Sequence, residues 1–98
     1  MRLGYSQEAV DDLARLREFI AEKNPEAAAR IAKRLVGGIE KLKAFPSLGR
    51  PVEKAPEPER VRDLFLGNYV VRYLVLEQSV LILRVWHQRE DRPETQGS

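Results

Sequence analysis

A set of six arginines and the chain's one histidine are the residues whose chemistry asks for an explanation. Arg50, Arg60, Arg62, Arg72, Arg84 and Arg89 fall in the second half of the 98 residues, with His87 among them. A guanidinium fork holds phosphate or carboxylate through paired hydrogen bonds, and a histidine exchanges a proton near neutral pH. Together such groups can grip a phosphodiester and stabilise the charge that develops on it. The same residues also have plainer uses. Arg60 and Arg62 suit an exposed strand face, and His87 suits a polar strand end. Arg72 and Arg84 each interrupt an otherwise apolar run. Each therefore needs a partner, either a carboxylate such as Asp63 or Glu77 or an acidic molecule from outside.

Other chemistries find less support. With no cysteine and a single histidine, a transition-metal site within one chain is not expected, and neither are disulfides or thiol nucleophiles. No glycine pattern of the phosphate-loop or dinucleotide type occurs, and no serine stands in a nucleophile elbow. No cofactor is expected. No signal-peptide pattern opens the chain and no apolar run is long enough to cross a membrane. The absence of cysteine fits a reducing compartment.

The elements that must position the arginines are readable from periodicity. Tyr69–Leu76 and Val80–His87 are rich in β-branched and aromatic residues, and only Glu77-Gln78-Ser79 separates them. They read as two antiparallel strands, apolar on both faces and therefore central in their sheet. Arg60–Leu66 reads as a third strand, joined to the next by the Gly67-Asn68 turn. Upstream, Ser6 is a suitable helix N-cap, and Ala9, Leu13, Leu16 and Ile20 form an amphipathic stripe. Val10 and Phe19 are expected to widen that buried face, and Asp11, Asp12, Arg15 and Glu18 to face water. Asn24 and Pro25 then cap and open a second helix with a stripe of Ala28, Ile31, Leu35, Ile39 and Leu42. So short a connection forces an antiparallel helical hairpin. Gly37-Gly38 lies inside the second helix and is expected to permit close approach of another backbone. That helix ends before Phe45-Pro46, and the proline-rich stretch from Ser47 to Glu59 is expected to be a rigid connection.

The order, with a weak strand at Met1–Tyr5, predicts a small α+β domain. A short N-terminal strand and a helical hairpin pack on an antiparallel sheet completed by a three-stranded C-terminal meander. One domain over residues 1–92 and a polar tail over 93–98 are expected, the terminal Gly-Ser being a possible expression remnant.

Charge is unevenly spread. Net charge is +2, with 43% apolar and 33% charged residues, as in a soluble globular protein. The basic surplus sits between residues 25 and 54, at Arg30, Lys33, Arg34, Lys41, Lys43, Arg50 and Lys54. It suits an anionic partner, nucleic acid or an acidic protein, and it also suits an ordinary solvated helix face.

Several stretches, taken in order, resemble the RelE/ParE superfamily of toxins from type II toxin–antitoxin modules. They are Asn24-Pro25 with Ala27-Ala28, the loop Phe45-Pro46-Ser47-Leu48-Gly49-Arg50-Pro51, Arg62-Asp63-Leu64, Tyr69-Val70-Val71-Arg72-Tyr73 and the run from Ile82 to Arg89. The resemblance spans about Tyr5 to Arg92. It implies a bacterial cytoplasmic, growth-inhibiting toxin neutralised by a cognate antitoxin, with operator DNA reached only through that antitoxin and no membrane partner. RelE-like members cut messenger RNA on the ribosome, whereas ParE-like members poison DNA gyrase with no known catalytic site. RelE-like toxins commonly carry arginine where this chain has Val70, and lysines where it offers Val61 and Asp63. No tyrosine follows His87 to match the tail residue that some carry. The resemblance therefore implies a ParE-like gyrase poison, with a RelE-like endoribonuclease as the alternative. With the basic surplus on the second helix, the groups expected to bind the target or the antitoxin are Arg30, Lys33, Arg34, Arg50, Arg72, Arg84, His87 and Arg89. In the ribonuclease alternative, His87 is the general acid or base while Arg62, Arg84 and Arg89 hold the phosphate.

Overall fold

Local capping chemistry sets the helices. In the computed structural model, which describes residues Met1–Arg89, the Ser6 hydroxyl accepts from the Ala9 N–H at 3.0 Å and begins helix α1, Gln7–Lys23. Asn24 Oδ1 accepts from the Ala27 N–H at 3.2 Å and begins α2, Pro25–Glu40, with Pro25 in the first turn where its missing N–H costs nothing. One residue joins the two helices, so they run antiparallel. A 3-10 turn, Lys41–Lys43, extends α2 and brings Leu42 into the core.

Five strands form one sheet: β1 (Arg2–Tyr5), β2 (Arg50–Pro51), β3 (Val61–Leu66), β4 (Tyr69–Val75) and β5 (Ser79–His87), in the order β1-β5-β4-β3-β2. The two apolar arms are interior strands, as their composition requires. The meander β3-β4-β5 is antiparallel, but β1 pairs with β5 in parallel, Leu3 opposite Val80 and Tyr5 opposite Ile82. The sheet is thus mixed rather than wholly antiparallel. Gly67, at φ +63°, turns the chain between β3 and β4 in a two-residue hairpin. The edge strand β2 interrupts the proline-rich connection, which had no strand signal in its sequence.

A bulge decides which side chains of β5 meet the helices. Arg72 lies opposite Arg84 and Tyr73 opposite Ile82, so Leu83 is the extra residue. The shift puts Val80 and Ile82 before the bulge, and Val85 after it, on one face. There they join Leu64, Val71 and Tyr73 beneath Ala9, Leu16, Ile39 and Leu42. Val70 and Trp86 are cross-strand neighbours on the opposite face and are also buried.

Three expectations change. Val10 and Phe19 are 48% and 54% exposed and do not widen the buried face. Asp12, expected in water, is only 4% exposed. Of the glycine pair only Gly38 makes a close approach: a Cβ there would lie 2.5 Å from Leu66 Cδ2, whereas one at Gly37 would meet nothing within 4 Å. The expectations for the stretch after Arg89, including the tail at 93–98, lie outside the described residues.

Candidate functional site

Three of the arginines singled out above are held inside the fold by carboxylates or carbonyls. Arg72 and Asp63 face each other across β4 and β3, with Nε to Oδ1 at 2.8 Å and Nη2 to Oδ2 at 2.9 Å. This two-point geometry is the favoured one for guanidinium and carboxylate. The Arg72 guanidinium also lies 5.2 Å from the Trp86 ring centroid. The carboxylate expected as one possible partner is thus the one used.

Arg84 finds a different acid. Its Nε donates to Asp12 Oδ2 at 2.8 Å and its Nη2 to Oδ1 at 3.1 Å, while the Val85 N–H donates to Oδ2 at 2.9 Å. Asp12 therefore ties α1 to the edge of β5 just beyond the end of β1. Arg15, one turn on, donates to the same carboxylate at 3.3 Å. Burial pushes the Asp12 pKa up, but the hydrogen bonds from Arg84 and Val85 and the Arg84 charge outweigh it. The net direction is below the ordinary carboxylate value.

Arg62 holds a loop. Its Nη1 donates to the carbonyls of Gly49 at 2.8 Å and Ser47 at 3.3 Å, and its Nε donates to Glu59 O at 3.1 Å. Tyr73 fastens the same loop from beneath, donating to Pro46 O at 2.7 Å and accepting from the Gly49 N–H at 2.8 Å. Desolvation raises the Tyr73 pKa. Gly49 is required here, since a Cβ would lie 2.8 Å from both Asp63 O and the Tyr73 ring. Arg30, Lys33 and Arg34 lie exposed on α2, and Arg50 lies on the sheet edge with its guanidinium 5.7 Å from the Phe65 ring centroid.

His87 and Arg89 sit elsewhere, beside a cavity of about 520 Å³ between the C-terminal half of α1 and the ends of β4 and β5. Arg15, Phe19, Lys23 and Tyr69 complete its polar and aromatic wall. The Tyr69 and His87 rings meet edge to face at 5.0 Å, and Lys23 Nζ lies 4.7 Å from the Phe19 ring centroid. The Arg89 N–H donates to His87 Nδ1 at 3.0 Å, so the neutral imidazole carries its proton on Nε2. Cations interleaved with rings can take an anion joined to a planar or apolar group. Arg15, Phe19 and Lys23 recur at a spacing of four and so share one helical face, which only the fold brings to His87 and Arg89.

A helical hairpin packed on a mixed five-stranded sheet is the architecture of the toxins of ParDE and RelBE toxin–antitoxin systems. The model for the ParE toxin of type II toxin–antitoxin systems matches residues 3–92. The chain is 36% identical over 88 residues to Toxin RelE1 of Caulobacter vibrioides, covering 89% of this chain and 92% of that one. It is 34% identical over 80 residues to Toxin RelE2 of the same organism, covering 81% and 85%. Among solved structures, a chain of the chromosomal ParDE system of P. aeruginosa aligns with a TM-score of 0.74 at 25% identity, covering 89% and 95%. A chain of the RelBE2 toxin–antitoxin complex of Mycobacterium tuberculosis shares the fold, with a TM-score of 0.60 at 24% identity over 88% and 95%. The chain belongs to the ParE toxin family, within the RelE/ParE superfamily of type II toxin–antitoxin toxins.

Proposed function

We propose that this toxin acts by binding, as a ParE-like poison of DNA gyrase, and that a cognate antitoxin neutralises it in the bacterial cytoplasm. The observation that carries this reading is the commitment of the arginines. Of the four groups a ribonuclease centre would use, Arg62 is spent on loop carbonyls and Arg84 on Asp12, while His87 and Arg89 stand together at the cavity. Val70 adds to it, for that position is a buried apolar residue between Phe65 and Trp86 in the cross-strand register. The toxin unit is taken as one domain over residues 1–92. Its exposed basic groups, Arg30, Lys33 and Arg34 on α2 and Arg50 on the sheet edge, are the surface offered to the target or the antitoxin, and operator DNA is reached only through the antitoxin. Purified toxin in a gyrase supercoiling reaction tests the proposal. Cleaved plasmid should accumulate, and no effect at stoichiometric excess would sink it.

A second reading has its own support in the pairing of His87 with Arg89 beside Arg15 and Tyr69, and in relatives that bear the RelE name. In it the toxin cuts messenger RNA on the ribosome, with His87 moving the proton. Trimmed transcripts on translating ribosomes, lost in His87→Ala and Arg89→Ala, would establish it in place of the first.

A further inference from the structure

The cavity at the exit of β5 is lined by basic side chains and aromatic rings, with no carboxylate among the described residues that line it. Two parts of the fold bring these groups together. α1 presents Arg15, Phe19 and Lys23 along one face. Tyr69 opens β4 opposite His87, which closes β5, and Arg89 follows two residues later. All of them meet on the helix side of the sheet, whereas Val70 and Trp86 lie on the other.

Charge sets what the cavity takes. Among the described residues, Lys23 and Arg89 have no carboxylate within ion-pair distance, and Asp12 divides one negative charge between Arg15 and Arg84. His87 is held as a donor. Its Nδ1 accepts the Arg89 N–H at 3.0 Å, so Nε2 carries a proton whether the imidazole is neutral or charged. A lone phosphodiester would bring a single negative charge to Arg15, Lys23 and Arg89. A nucleoside diphosphate brings about three, because its terminal phosphate is largely dianionic at neutral pH. The rings argue against a bare anion. Phe19 is 54% exposed and Tyr69 half-buried, which gives a planar base surfaces to lie against. A cavity of about 520 Å³ is within the size range of small-molecule sites.

We infer that this cavity binds a nucleoside polyphosphate. Lys23, Arg89 and Arg15 hold its phosphates together with the His87 Nε2–H, and its base lies against Phe19 and Tyr69. The site stands apart from the gyrase reading, which puts the target contact on α2 and the sheet edge. It differs from the ribonuclease reading too. There His87 moves a proton on a strand of messenger, whereas here it only donates to a bound phosphate.

Titration of the intact toxin with ADP tests the inference. The chain has one histidine and one tryptophan, so each ring gives an unambiguous NMR signal. The His87 ring protons should shift as ADP is added, and the Trp86 indole N–H on the far face should move much less. By calorimetry, AMP should bind roughly fivefold or more weakly than ADP. Lys23→Gln and Arg89→Gln should each weaken ADP binding by roughly tenfold, with far-ultraviolet circular dichroism unchanged because both side chains are exposed. Lys54→Gln, beyond the edge strand β2, removes one exposed charge and should leave the affinity as it was. Phe19→Ala should weaken ADP roughly fivefold and leave inorganic pyrophosphate unaffected. No binding at millimolar ADP overturns the inference, and so does binding that Lys23→Gln and Arg89→Gln leave unchanged. Pyrophosphate bound as tightly as ADP marks a bare-anion patch and overturns it as well. A short single-stranded oligonucleotide without terminal phosphates that displaces ADP and binds more tightly assigns the cavity to a strand, which also overturns it.

Discussion

Asp12 on α1 takes three donors at once from the last strand, two from the Arg84 guanidinium and one from the Val85 N–H. Asp12→Asn keeps the volume but removes the charge and one full acceptor. Arg84 is about a third exposed, so part of its loss is made good by water. The expected cost is about 2–4 kcal/mol at neutral pH, read from urea unfolding. The pH dependence follows from the lowered pKa. As pH falls below the ordinary carboxylate value, the unfolded chain takes up the proton first. Stability is thus fully present above that value and is lost as pH falls toward the folded pKa. In Asp12→Asn that acid-side slope should flatten, and an unchanged slope would show that other carboxylates set it.

Arg72 and Asp63 should couple as a structural pair. A double-mutant cycle with Arg72→Met and Asp63→Leu is expected to give a coupling of about 1–3 kcal/mol, because both side chains are mostly buried. The double variant should be more stable than either single one. Coupling near zero would return Arg72 to the roster of groups available to a ligand.

The neighbouring glycines separate packing from propensity. Gly37→Ala has open space around the new methyl group and should stabilise α2 by about 0.5–1 kcal/mol. Gly38→Ala drives the methyl into Leu66 and should destabilise by about 1–3 kcal/mol. Thermal melts of the two variants should therefore move in opposite directions.

Tyr73→Phe tests the loop anchor. It strands the Gly49 N–H and the Pro46 carbonyl, for a loss of about 1–3 kcal/mol. Exchange of the Gly49 amide should accelerate well beyond the change in global stability if the hydroxyl holds the loop, and only in step with it otherwise.

The helices and the meander were legible because their signals are local. Caps at Ser6 and Asn24, Pro25 in the first turn and the Gly67-Asn68 hairpin each act within a few residues. The antitoxin-module family was legible too, from the order of several weak motifs. What eluded sequence reasoning depends on distant contacts. Asp12 stands between Ala9 and Leu16 at buried spacings of three and four, and its charge alone made it read as solvent-facing. Its burial makes sense only once β5 brings a guanidinium and an N–H from more than 70 positions away. Phe19 errs in the opposite sense, an apolar residue left at a cavity mouth beside Lys23. The short strand β2 could not be read either, since two residues carry no periodicity.

The parallel pairing of β1 with β5 bears on how the molecule comes into being. The Ser6 hydroxyl donates to Leu83 O across 77 positions of chain, and Arg2 lies opposite Ser79. The helical hairpin can form as soon as it is synthesised, but the sheet beneath it stays open until the last strand arrives and slots between the first and the fourth. Contacts of such long separation close slowly. A nascent chain therefore carries no assembled toxin surface until β5 has been made, which leaves an antitoxin already present the interval of translation up to that strand in which to be waiting.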